Sequence, residues 1–471
     1  MFQNACVVVH YNIARAYTKY NIVFTYSAKM SFELFTQFKF PLESILGRFS
    51  DNNIWFVVHP FFKIFKYTGF CPVRVSTDSY PDVSFQWDRL FVVLTGLCFI
   101  GFTAGFCRGV HVLSHLDSLG LHDANTIISY ITNWAQVFSL FFLACVSLVT
   151  SWTNLEKLRN FFMKIRQIDF ALEMTGVEIS YRAMRRRLFI QTGVSFLIPT
   201  CLSMVNCIMI NTTFRITSPC YWFICFTPML LLTLKELQFY NIMFLLKGKF
   251  AKINKQIEKL CQRKIMQNET LTMTINANIM TKCSDEKELL GQTDAQLVEQ
   301  MRFLAEIYSD VADCVDEVLE IFAYHLLMTT CISFAVITIQ SYNLFALIMH
   351  SLAMQLHEIC FTMAWIVVQI MVIGVNVIAC TQTSTAMADT GIFLHKLKPR
   401  DDYGLFLQMV QVFSMEVMHR KKPFTAAGFF EMNFKLFTSI VAAVTTYLII
   451  IIQFHLANLE MNSSNKSQEN L

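Results

Sequence analysis

Charge is what this sequence has least of. Asp, Glu, Lys and Arg make up 15% of its 471 residues, where soluble proteins carry about a quarter. That scarcity excludes an ordinary soluble globular protein. The net charge of +4, spread along the whole length, implies no nucleic-acid partner. Paired Cys-x-x-Cys motifs are missing, which argues against a zinc site among the 15 cysteines. Cys98, Cys145, Cys225, Cys331 and Cys360 lie inside apolar runs, where they are expected to act as small buried hydrophobes. A cleavable leader is not evident, because His10, Arg15 and Lys19 interrupt residues 5–25. Met30 is an alternative start that leaves residues 1–29 as an extension. An enzyme constellation is also missing. His357-Glu358 reads as a water-facing helix start, since no third metal ligand is nearby.

What the chain has in quantity is apolar sequence: 54% hydrophobic residues, with 45 Phe and 24 Met. Both suit lipid-facing helices and adaptable packing. The fold class expected is an all-α membrane protein. Apolar stretches mark seven spans, at about 90–107, 126–150, 188–210, 220–246, 318–342, 359–383 and 434–456. Each approaches the roughly 20 residues that a bilayer core requires. The segments are then 1–88, a cytoplasmic N-terminal part with an amphipathic surface helix from Trp55 to Val73; 89–246, spans 1 to 4; 247–317, a cytoplasmic loop and anchor helix; 318–383, spans 5 and 6; 384–431, a cytoplasmic anchor segment; 432–456, span 7; and 457–471, an outer tail. Pro199 is expected to kink span 3. The polar middle at 266–298 reads as a mobile loop. Helical periodicity resumes through Met301, Leu304, Ile307, Tyr308 and Val311 and should run straight into span 5. Lys235 and Glu236 sit near the cytoplasmic end of span 4, where snorkelling is the simplest reading.

Basic residues alternate between segments. Residues 1–88 hold eight Lys and Arg, 151–187 eight, 247–317 ten and 381–435 seven. The intervening segments hold Arg108, Arg215, none, and Lys466. The positive-inside rule then places the N-terminus in the cytoplasm and the C-terminus outside. Sequons at Asn211, Asn462 and Asn465 fall outside on this topology, and the one at Asn268 falls inside. A G-protein-coupled receptor has the opposite orientation. The Asp-Arg-Tyr and Asn-Pro-x-x-Tyr motifs of such receptors are absent as well. A secondary transporter is expected to show repeated halves, and none is visible.

The most informative stretch lies near the end: Thr446-Tyr447-Leu448-Ile449-Ile450-Ile451-Ile452-Gln453-Phe454. On a helix, Thr446, Ile450 and Gln453 share one stripe, and Tyr447, Ile451 and Phe454 the next. An amide inside a membrane is costly unless it meets a partner or water. Gln453 therefore either bonds a neighbouring helix or faces a water-filled path. Thr-Tyr, five hydrophobic residues and Gln-Phe resemble the signature of the last span of insect gustatory receptors, relatives of insect odorant receptors. Ala426-Ala427-Gly428-Phe429-Phe430 is similar to a step that often precedes it there. At the start of span 5, Asp313 and Phe322 match the family's pattern, while its Asn and Gly are replaced.

The resemblance implies a ligand-gated, non-selective cation channel serving taste, without a cofactor. It implies four subunits, as a homotetramer or a heteromer with other gustatory receptors, around a central pore lined by span 7. Surrounding lipid and a small-molecule tastant, sugar or bitter plant compound, are the other partners. Pore and gate residues are then Thr446, Tyr447, Ile450, Gln453 and Phe454, with Phe454 an apolar seal. The ligand-binding candidates are Asn133, Trp134, Thr338, Gln340, Thr362 and Trp365, in the outer halves of the spans. Aromatic walls with a few fixed polar groups suit small organic molecules, although Tyr221, Trp222 and Tyr342 also fit an interfacial aromatic belt. The alternatives are a seven-span receptor that signals through a partner protein, and a transporter.

Overall fold

Long apolar runs with few breakers make long helices, and the computed structural model is built almost wholly from them. It describes residues 54–67, 73–79, 82–87, most of 90–107, 124–214, 219–276, 283–350, 356–396 and 404–469. Helix α1 (Ile54–Tyr67) is followed by a hairpin of β1 (Val73–Ser79) and β2 (Asp82–Trp87), with Val75 opposite Phe85. A short apolar helix, α2 (Thr95–Cys107), comes next. Helices α3 (Ala124–Thr153) and α4 (Leu155–Met174) are bent by 60° at their junction. Then come α5 (Tyr181–Phe214), α6 (Pro219–Asn276), α7 (Cys283–His350), α8 (Leu356–His395), α9 (Gly404–His419), the two-residue strands β3 (Thr425–Ala426) and β4 (Phe430–Glu431), and α10 (Lys435–Glu469).

Helix length separates membrane from anchor. The 58 residues of α6 and the 68 of α7 reach about 87 and 102 Å at 1.5 Å per residue. A bilayer core is ~30 Å thick, so both helices continue far beyond it. Four stretches among the described residues are long and apolar enough to cross: Pro228–Met266, Ala295–Ile348, Thr362–His395 and Lys435–Phe454. The bent α3–α4 pair makes a fifth if counted as one span. The spans expected at 90–107 and 188–210 fall on α2 and α5.

The tightest core lies in the extensions. Tyr308 of α7 sits fully buried between Phe250 of α6 and Phe413 of α9, with ring centroids 5.4 Å away on each side. Its hydroxyl donates to the Met387 carbonyl of α8 at 3.4 Å. Asn254 donates to the Ala386 carbonyl at 3.0 Å and accepts from Thr390 Oγ1 at 2.6 Å. Lys249 and Asp169 form a buried ion pair. Arg420 closes the end of α9 onto α7, with Nη1 2.6 Å from Asp313 Oδ1 and a second bond to Ser309. Cys261 and Cys314 are buried and unpaired to each other or to any other sulfur among the described residues, so they act as small hydrophobes, as expected of buried cysteines. Cys331 and Cys360 depart from that expectation. Both are exposed on the single chain, on outward-facing sides of α7 and α8.

Several other expectations are corrected. The surface helix is described to Tyr67, and Val73, its expected end, instead opens strand β1. The mobile loop expected at 266–298 is mostly helix: α6 runs to Asn276 and α7 starts at Cys283. Its Glu, Lys, Gln and Met residues are good helix formers, so polarity there marked a solvated helix face. The tail from Ala457 continues α10 to Glu469.

Candidate ligand pocket and pore helix

Trp365 of α8 is buried against Met229 of α6 and Val336 of α7, with Leu140 of α3 packed beside them. Four helices therefore converge on this indole. Thr362, one turn outward on α8, is also buried. Gln340 of α7 is buried and bonds to Gln136 of α3. Thr338 is buried as well, but its hydroxyl donates to the Phe334 carbonyl of its own helix at 3.0 Å. That bond supports α7 and leaves the Thr338 donor already used. Tyr342, a candidate for the interfacial belt, is buried instead. Asn133 and Trp134 lie on α3, but their side chains fall outside the described residues, as do those of Tyr221, Trp222, His357 and Glu358.

Three residues escaped the sequence reading, in two hydrogen bonds. Ser333 donates to Gln369 Oε1 at 2.9 Å across the α7–α8 seam. Gln136 completes the amide pair with Gln340. The signal for both was a polar residue inside an apolar run, which gives no information about which helix it meets.

The charged residues of span 4 overturn the snorkelling expectation. Lys235 is buried, donates to Ser151 Oγ at 2.7 Å, and lies 4.5 Å from the Phe322 ring centroid. Its neighbour Glu236 points elsewhere, with Oε1 3.0 Å from Nε2 of the fully buried His325. His325 Nδ1 is 3.0 Å from Ser147 Oγ. The set ties α3, α6 and α7 together through polar side chains. Hydroxyl, imidazole and carboxylate in a row are the parts of a hydrolytic triad. Here, however, His325 and Ser147 are both completely buried, so no substrate can reach them.

Helix α10 differs from the other three long apolar helices among the described residues. In Lys435–Phe454, none of the most apolar stretch is buried within the chain, against 56% for the corresponding stretches of α6 and α7. Tyr447 leans on Phe334 of α7, centroid to centroid 6.0 Å. Thr446 donates to the Ala442 carbonyl at 2.9 Å. Both remain exposed, as do Ile450, Gln453 and Phe454. The gate candidates thus share a helix that is largely uncovered and touches α7 along one side, where Tyr447 meets Phe334.

The chain matches the family described as 7tm Chemosensory receptor over residues 58–458. It is an insect gustatory receptor of that family. Its likeness to putative gustatory receptor 28b of Drosophila melanogaster is 20% identity over 427 residues, 88% of this chain and 89% of that one. Gustatory receptor for bitter taste 66a of the same fly is 25% identical over 170 residues, 35% of this chain and 32% of that one. In fold it is similar to the insect olfactory receptor OR5 of Machilis hrabei, with a TM-score of 0.56 and 11% identity, covering 84% of this chain and 97% of that one. The same receptor solved in complex with eugenol gives a TM-score of 0.54 at 13% identity, with the same coverage.

Two motif fragments of this gustatory receptor now have a physical reading. Ala426-Ala427-Gly428-Phe429-Phe430 is the tight hairpin between β3 and β4. The Phe429 amide donates to the Ala426 carbonyl at 3.0 Å, and Ala427 and Gly428 take φ of 49° and 81°. Left-handed backbone costs nothing at Gly428, whereas Ala427, with its Cβ, takes it less readily. Asp313 is the partner of Arg420, which fixes the anchor end of α7 rather than the pore.

Proposed function

We propose that this receptor is a ligand-gated, non-selective cation channel of the plasma membrane of gustatory neurons. A small-molecule tastant, a sugar or a bitter plant compound, opens it. Seven spans cross the bilayer, with the N-terminus inside and the C-terminus outside. Four subunits, identical or mixed with other gustatory receptors, surround one pore lined by the outer half of α10. The observation that carries the reading is the uncovered α10. It is as apolar as a membrane span and unburied, while the anchor helices that precede it are packed. An apolar helix with Gln453 in its outer half is suited to a pore formed with copies of itself, where an amide meets water.

Tastant enters among α3, α6, α7 and α8 and contacts Trp365, Thr362 and Gln340, with Asn133, Trp134 and Thr338 at the same level. Gln453 and Phe454 are adjacent and point about 100° apart. A modest rotation of α10 exchanges an apolar ring, which dewets when narrow, for an amide ring that hydrates a cation. Tyr447, resting on Phe334, carries motion of α7 to α10. Whole-cell recording from cells that express only this chain tests the reading. Tastant-evoked current that persists with G-protein signalling blocked is expected. Response only through G-protein signalling, with no such current, overturns it in favour of a metabotropic receptor.

A further inference from the structure

Helix α8 carries a polar residue at every seventh position: Thr362, Gln369, Asn376, Thr383 and Thr390. All five are buried. A seven-residue repeat drifts only ~20° per step on a straight helix, so they form one stripe. Ile373, Cys380, Met387 and Leu394, each four residues further on, are buried beside it. The stripe is therefore a packed heptad seam with polar residues at one of its two core positions, the arrangement that sets register between helices.

Partners change along the seam. Gln369 accepts from Ser333 of α7. Thr383 donates to the Met243 carbonyl of α6 at 3.1 Å, and Thr390 to Asn254 of α6. Asn376 lies between these groups and has neither. Its side chain is fully buried, and among the described residues neither Oδ1 nor Nδ2 has a hydrogen-bond partner. A buried amide without a partner is unfavourable. Any nearby arrangement of α8 that supplies one is favoured by comparison.

The other side of α8 at this level faces the last helix. Gly374 stands two residues away, about 200° around the helix. A Cβ built there would lie 3.7 Å from Cζ of Phe437 on α10. One level of α8 thus presents an unsatisfied amide to α6 and α7, and bare backbone to α10. Trp365 and Gln369 are on the same helix, two to three turns outward.

We propose that Asn376 is a positioning residue that couples the pocket to the pore. In the present arrangement its amide lacks a partner. When α8 turns into the open arrangement, the amide gains one, and the same turn moves the Gly374 side against Phe437 and displaces α10. The inference rests on the ligand-gated channel reading. Its distinctive feature is that Asn376 contributes to opening and not to folding.

The test uses Asn376→Leu, alone and combined with Phe454→Ala, in the full chain. Surface amount is read by biotinylation, and current is recorded without tastant. Asn376→Leu is expected at the surface in at least the wild-type amount, since an unsatisfied amide is replaced by an apolar group of similar size. The tastant-free current of Phe454→Ala is expected to fall about three- to tenfold per surface channel when Asn376→Leu is added, the effect of losing one hydrogen bond. Equal currents at equal surface amount overturn the coupling role and leave the pore reading intact. Loss of Asn376→Leu from the surface also overturns it, because the buried amide would then be required for folding rather than for opening. If Phe454→Ala alone passes no tastant-free current, the seal assigned to Phe454 fails and the coupling argument falls with it.

Discussion

The packed helical extensions around Tyr308, which the proposed topology makes the anchor, and the last helix are opposite solutions for residues of similar hydrophobicity. In the anchor, Tyr308, Phe250 and Phe413 exclude solvent completely, and even the charges of Lys249 and Asp169 are buried against each other. In α10, Phe454 is 69% exposed and Tyr447 53% exposed. One chain is sufficient for the anchor. For α10 it is not, because an uncovered apolar face requires lipid or further copies. Stability therefore resides mainly in the anchor, and the conduction assigned to α10 resides where stability is least at stake.

The largest expected effect tests the anchor. Removing one member of a buried ion pair strands the other charge and costs about 3–5 kcal/mol. Asp169→Asn or Lys249→Met alone should therefore deplete surface protein and lower the melting temperature of the purified receptor. The double replacement Asp169→Leu with Lys249→Met should recover most of the loss, since apolar substitutes for such pairs are often neutral. A double variant no better than the singles would show that the pair is not the unit of stability.

Next comes the pocket, between the two extremes. Trp365→Ala removes one aromatic wall, worth roughly 1–3 kcal/mol on the scale of burying a large side chain, or about 5- to 150-fold in affinity. The tastant dose-response should shift by that factor at normal surface expression. An unmoved curve would take Trp365 out of the pocket.

In α10 the expected change is in current with little in stability. Phe454→Ala should leave the melting temperature within the ~0.5 kcal/mol range of surface substitutions and raise current in the absence of tastant. Gln453→Ala should lower evoked current or alter cation preference without moving the dose-response. Gln453→Cys should be blocked by an external thiol reagent faster when tastant is present. If the block is no faster at normal surface expression, Gln453 does not become exposed on opening. The comparison between anchor and last helix would break if Phe454→Ala instead destabilised the receptor as strongly as Asp169→Asn.

The smallest effect is on orientation. Asn462 or Asn465 should carry glycan, and Asn268, which the proposed topology places inside the cell, should not. Removing the outer sequons should change mobility on a gel and leave current unaltered. An exposed N-terminal tag with a hidden C-terminal tag in intact cells would reverse the topology.

Local and periodic features of this receptor were legible in the sequence. The nine residues from Thr446 to Phe454 carried the family. Periodicity placed helix through Tyr308 and on into span 5, because apolar spacing records which face of a helix meets a core. The positive φ at Gly428 answers to the only kind of residue that adopts it without strain. Direction across space was not legible. Adjacent Lys235 and Glu236 looked alike as polar residues near a helix end, yet one turns to Ser151 on α3 and the other to His325 on α7. A helix allows each side chain only its own direction, and which neighbour waits there depends on how three helices pack. Likewise the sequence shows that Gln369, Asn376 and Thr383 share a stripe. Only the packing of α6, α7 and α8 decided that the outer and inner of these find partners while the amide between them does not. The sequence by itself determined which faces would be apolar and where helices would run; tertiary structure decided which polar groups are satisfied, because satisfaction is a property of two residues distant in the chain.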